Sequence, residues 1–139
     1  MEDNGTRQTF STGAVREDTQ SKNMLELISP FAEWRLGQWC TDGAKKYGDR
    51  NWEKGLPMSK TLGSLKRHVN KFQQGDRSED HLAAIMWNSM ALIHTEMMIE
   101  RGVLPDELND LPNYEKNKTY KTYEELENIY FKEEIKGIE

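Results

Sequence analysis

Apolar residues recur along this chain in two strong helical patterns and a weaker one. Leu62, Leu65, Val69 and Phe72 stand at i, i+3, i+7 and i+10, the spacing of one buried face of an α-helix. Ser59 is placed to cap that helix and Gly75 to end it. Further on, Leu82, Ile85, Met86, Trp87, Met90, Ile93 and Met97 are apolar over more than one face. They predict a long central helix over about Glu79–Arg101. Ser78 is its N-cap, Glu79 and Asp80 lie in its first turn, and Gly102 and Pro105 follow its end. The weaker pattern starts at Ser29-Pro30, where Ser caps free amides and Pro fits the first turn without losing a hydrogen bond. The helix predicted there runs Pro30–Tyr47, with Phe31, Trp34 and Ala44 turned to the core and Gly37 and Gly43 weakening it.

The remaining segments are breaks and ends. Residues 1–9 read as disordered, and 10–23 as an ordered but irregular arm anchored by Phe10, Ala14 and Val15. Residues 48–58 form a loop by composition, as do residues 106–119. Thr122 and Glu125 fit a capping box, which predicts a short helix over Thr122 to Lys136 with Leu126, Ile129 and Tyr130 on its apolar face. There is no internal repeat, no strand-like alternation and no hairpin signal. The predicted fold is all-α, a bundle of three core helices plus a C-terminal helix.

Composition narrows the function. A chain of 139 residues with 35% hydrophobic content builds one modest core. Its net charge of −5 argues against a general polyanion binder, so direct nucleic-acid binding is not expected. No run approaches the roughly 18 apolar residues of a membrane span, and no signal peptide is recognisable. Cys40 stands alone, which excludes a disulfide framework and a cysteine zinc site. A soluble, cytoplasmic protein is expected. The central helix carries apolar residues on too many faces for a monomer of this size to bury, so a homodimer or homotetramer is expected as well.

Two clusters carry candidate chemistry. Residues 43–55 contain Lys45, Lys46, Arg50 and Lys54, with Asn51, Trp52 and three glycines. Cations neutralise phosphate, glycines admit close backbone approach, and an indole face accepts a base. The plainer reading is a solvated helix end with Trp52 packed as a plug. The second cluster is His68 with Glu79, Asp80 and His81, imidazole and carboxylate groups of the kind a divalent ion takes. A symmetric turn near Asp76 would set His68 about 10 Å from the turn and level with Ala84 to Asn88. His81 would then stand nearer the turn, level with Phe72, and one ion touching both would need a tilted or staggered pair. The plainer reading leaves Glu79 and Asp80 to the helix dipole and His68 as a satisfied core histidine. Trp87 and Asn88 interrupt the apolar helix and Arg67 precedes His68, so these three are candidate ligand contacts. Glu96 and Glu100, near His94, share a face that is more simply a solvated stripe.

Together these motifs resemble a family. Residues 10–16 (Phe-Ser-Thr-Gly-Ala-Val-Arg), residues 43–55, Arg67-His68, Glu79-Asp80-His81-Leu82 and Trp87-Asn88 look like the phage dATP/dGTP diphosphohydrolases (MazZ-type). These are grouped with the MazG-like all-α nucleoside triphosphate pyrophosphohydrolases. The resemblance covers residues 10–112 and leaves 113–139 outside. It implies hydrolysis of dGTP and dATP to the monophosphates plus pyrophosphate with Mg²⁺ or Mn²⁺, in the host cytoplasm. In phages that use 2-aminoadenine, this removes dATP and supplies dGMP. The wider superfamily holds its metal with Glu-x-x-Glu and Glu-x-x-Asp on successive helices, and the central helices here carry neither. Glu107 and Asp110 have the second spacing in a Pro-flanked loop. On the resemblance, Glu79, Asp80 and His81 would hold metal or act as base, with His68 nearby. Lys45, Lys46, Arg50, Lys54 and Arg67 would neutralise phosphate, and Asn51, Trp52, Trp87 and Asn88 would meet base or sugar. An HD-like nucleotide hydrolase and a non-catalytic purine-nucleotide-binding protein are the competing readings.

Overall fold

Ser29 and Pro30 open the first helix as their chemistry requires, with the Ser29 hydroxyl accepting from the Ala32 N–H at 3.4 Å. In this computed structural model, which describes residues 6–18, 22–116 and 125, that helix is α1, Pro30–Tyr47. A 3-10 turn, Asn51–Lys54, leads to α2, Met58–Gln73, and then to α3, His81–Glu100. The three expected core helices are all present, and among the described residues the fold is all-α apart from one small hairpin. α3 is central: it packs chiefly on α2, and also on α1 and the 3-10 turn.

The core differs from the expected one. The buried positions of α3 include His81, Ala84, Asn88, Ala91 and Thr95, one face at i, i+3, i+7, i+10 and i+14. Small side chains here let α2 approach closely, while Leu82, Ile93 and Met97 stay exposed. Val69, expected in a buried stripe, is 43% exposed, and on α2 only Met58 and Thr61 are buried. Phe31 and Trp34 are 82% and 80% exposed rather than in the core. The inward side of α1 is instead Leu36, Trp39, Cys40, Gly43 and Ala44, all half-buried. At 3.6 residues per turn, Trp34 points about 160° away from Leu36.

The end of α2 sets the geometry that follows. The Gly75 N–H donates to the Phe72 carbonyl at 3.0 Å and the Asp76 N–H to the Lys71 carbonyl at 3.1 Å. Gly75 has φ 88°, so the pair is a Schellman motif that reverses the chain at once. Asp80, rather than the expected Ser78, caps α3, accepting from the Ala83 N–H at 3.1 Å.

Two further segments depart from expectation. Arg7–Thr9, expected to be disordered, pairs as β1 with β2, Val15–Glu17, in an antiparallel hairpin with Arg7 opposite Glu17 and Thr9 opposite Val15. Polar residues on both faces hide it from any test of alternation. Ser59, expected to cap α2, lies inside its first turn. Its N–H donates to Asp110 at 2.8 Å, and its hydroxyl donates to the other oxygen of that carboxylate. Leu104 and Leu108 close over Gly55, where an added Cβ would meet Leu108 Cδ1 at 2.7 Å. The helix expected over Thr122 to Lys136 lies outside the described residues, save Glu125.

Candidate active site

Two histidines from different helices meet beside one carboxylate. His68 Nδ1 on α2 lies 2.9 Å from His81 Nδ1, at the first residue of α3. Glu79 Oε1 is 3.4 Å from the first nitrogen and 3.6 Å from the second. The two rings are therefore level, contrary to the expectation from a symmetric turn. The reversal is complete at Gly75, and residues 76–80 are non-helical. Non-helical chain rises faster per residue than a helix, so the chain climbs back beside His68 before α3 begins. Trp39 of α1 packs edge-on against the His68 ring at 5.7 Å.

The donor set fits a divalent ion. One nitrogen from each imidazole and one Glu79 oxygen lie within 4.8 Å of one another, which suits shared ligation. The His81 side chain is fully buried, and its Nε2 faces Asp76 Oδ2 at 3.4 Å without a hydrogen bond. A carboxylate behind a metal-binding imidazole is the usual second partner, fixing the ring and its tautomer. Burial pushes the His68 imidazole below its ordinary value, against the pull of Glu79, which favours the neutral form that ligates a metal. The Ser78 backbone N–H and hydroxyl, followed by His81, hold the Asp76 carboxyl down at about 2.

Asp80 does not join this group. Both its oxygens accept from Arg35 of α1, through Nε at 2.8 Å and through Nη2. That pairing, with the α3 cap, holds the Asp80 carboxyl below the usual range. The structure thus brings His68 into the cluster expected of Glu79, Asp80 and His81, and turns Asp80 to α1. A cleft of about 610 Å³ opens beside it, lined by Arg35, Arg77, Glu79, Asp80 and His81.

The family model described as dATP/dGTP diphosphohydrolase, N-terminal, matches residues 12–103. The chain belongs to that family. Neither a curated protein nor a solved structure matches it. The name is that of a hydrolase of deoxynucleoside triphosphates, and the chain is such an enzyme. The match spans the histidine pair, Glu79, the cleft and the whole basic loop, and stops before Asp110.

Within this dATP/dGTP diphosphohydrolase chain the basic loop stands apart from the histidines. Trp52 packs edge-on against Trp87 and His94, at 5.9 and 4.8 Å, about two and three and a half turns along α3 from His81. Arg50 pairs with Glu53, Lys54 donates to Asn51, and Lys46 lies over the Tyr47 ring at 5.3 Å. Lys45 is exposed at the end of α1. Arg67 folds back over Gly63. Asn88 is buried, its amide donating to the Ala84 carbonyl at 2.7 Å while Oδ1 has no partner among the described residues. Glu96 and Glu100 are exposed. Sequence reasoning passed over Trp39, Arg35, Asp76 and Arg77. Of these only Asp76, an acid five residues before a candidate ligand histidine, gave any signal.

Proposed function

We propose that this enzyme is a metal-dependent pyrophosphohydrolase that converts dGTP and dATP to dGMP and dAMP plus pyrophosphate. The observation that carries the reading is the His68–Glu79–His81 cluster at the edge of a cleft, in a chain of the dATP/dGTP diphosphohydrolase family. His68, Glu79 and His81 would hold the ion, with Asp76 behind His81 and Asp80 placing Arg35. Bound there, a divalent ion supplies Lewis-acid polarisation of phosphate and a more acidic water. Glu79 turns Oε1 to both rings, leaving Oε2 to take the proton of a water that attacks phosphorus as the α–β bridging bond breaks. Of the two expected ions, Mn²⁺ suits two imidazoles better than Mg²⁺, which prefers oxygen ligands.

Lys45, Lys46, Arg50, Asn51, Trp52, Lys54, Arg67, Trp87 and Asn88 are the groups proposed to meet the rest of the nucleotide. We also propose that copies of the chain associate through the exposed apolar residues of α1 and α3. The cellular role that fits is a phage enzyme in the host cytoplasm, removing dATP and supplying dGMP for 2-aminoadenine synthesis. Product analysis of dGTP, dATP and dCTP, with Mn²⁺ and with chelator, tests the reaction. Monophosphate and pyrophosphate from the purines, only with metal, are expected. Nucleoside plus triphosphate would move the reading to an HD-like hydrolase, and nucleotide binding without turnover would leave only a binding protein.

A further inference from the structure

The cleft beside the histidines contains two guanidinium groups that neither the sequence motifs nor the family match assigns a role. Arg77 lies flat on the end of α2, its guanidinium carbon 4.1 Å from the Phe72 ring centroid. Its Nη1 donates to the Phe72 and Asp76 carbonyls at 3.1 and 2.8 Å. These contacts fix the group, and among the described residues no carboxylate pairs with its charge. The neighbouring Asp76 carboxylate turns instead to the Ser78 N–H at 2.8 Å and to His81. Arg35 faces the same space, with Nε and Nη2 held by Asp80 and Nη1 without a partner among the described residues.

Charge decides when an anion can enter. The charged groups lining the cleft, Arg35, Arg77, Glu79 and Asp80, cancel without metal, while Asp76 stands behind His81 and Lys71 and Arg67 act on His68 from α2. A divalent ion would add two positive charges beside the guanidiniums. Two positioned guanidiniums next to a metal ion match the oxygens of linked phosphates, since a fork of N–H donors can bridge non-bridging oxygens. Lys45 and Lys46, in the last turn of α1, are about 15 Å from Arg35 along the helix axis.

We propose that Arg77, with the free edge of Arg35, binds the pyrophosphate portion of the substrate beside the ion held by His68, Glu79 and His81. This rests on the pyrophosphohydrolase reading and assigns the leaving group its place. Isothermal titration of inorganic pyrophosphate into the full chain, with and without Mn²⁺, tests it on wild type, Arg77→Ala and Arg77→Lys. Wild type binds pyrophosphate only with Mn²⁺. Arg77→Ala weakens that binding at least tenfold and raises KM for dGTP, with Mn²⁺ affinity unchanged, and Arg77→Lys recovers part of both.

Loss of Mn²⁺ affinity and thermal stability in both variants, with pyrophosphate affinity per metal-loaded protein unchanged, would make Arg77 a structural cap and overturn the proposal. Undiminished pyrophosphate binding in Arg77→Ala, together with its loss in Lys45→Ala/Lys46→Ala, would overturn it in favour of the basic loop. Its failure is separable from that of the reaction. Wild type that binds pyrophosphate with Mn²⁺ but leaves dGTP intact refutes the reaction alone, and dGTP turnover with an unaltered KM in Arg77→Ala refutes the subsite alone.

Discussion

The Asp76 carboxylate reaches the histidine cluster through His81, whose Nε2 it faces at 3.4 Å. Replacing Asp76 by Asn keeps the shape and removes the charge, so Mn²⁺ affinity is expected to fall about 10- to 100-fold. Titration calorimetry reads that fall directly, and an unchanged affinity would remove Asp76 from the site. Because its carboxyl is held at about 2, Asp76 stays ionised throughout the working range. A loss of metal on mild acidification would then not come from Asp76. His68, Glu79 and His81 were legible in the sequence as chemistry. Their assembly was not, because neighbours in non-helical chain point in different directions. Glu79 meets the histidines while Asp80 meets Arg35, and composition treats the two acids alike.

At the scale of elements, local signals worked where they were self-contained. The Ser29-Pro30 start and the glycine at 48 bound α1 where expected, Pro30–Tyr47. Ser59 misled because its partner is Asp110, 51 residues away, a pairing no local rule contains. That contact makes a prediction. Asp110→Ala is expected to lower the melting temperature by a few degrees at neutral pH. Hydrogen bonds from the Ser59 hydroxyl and then its N–H hold the Asp110 carboxyl below 3.8. The stabilisation is therefore full above the ordinary carboxylate value and is lost as pH falls through the depressed one. Melting curves at neutral pH and near pH 3 should show the gap between wild type and Asp110→Ala closing on acidification. A constant gap would assign the effect to packing.

For the whole molecule, the excess of apolar surface was readable but its location was not. Three apolar residues do not define a helix face uniquely, and Phe31 and Trp34 were assigned inward while the structure exposes them. Ile93, at 65% exposure, continues the same problem onto α3. Burying such side chains is favourable at about 25 cal/mol per Å² of apolar area, which makes a second copy of the chain the expected cover. Sedimentation velocity at micromolar protein should give a dimer or tetramer, and Trp34→Arg combined with Ile93→Glu should shift it toward monomer. A wild type that sediments as a monomer would refute self-association. The arrangement of α2, the Gly75 reversal and α3 has a consequence in time. Its decisive contacts join residues no more than 13 positions apart, whereas Arg35 and Asp80 are separated by 45 and Ser59 and Asp110 by 51. Short loops close within about 10–100 ns, and more distant contacts carry a larger loop entropy. The histidine corner is thus expected to form early, before α1 and the Asp110 segment have docked.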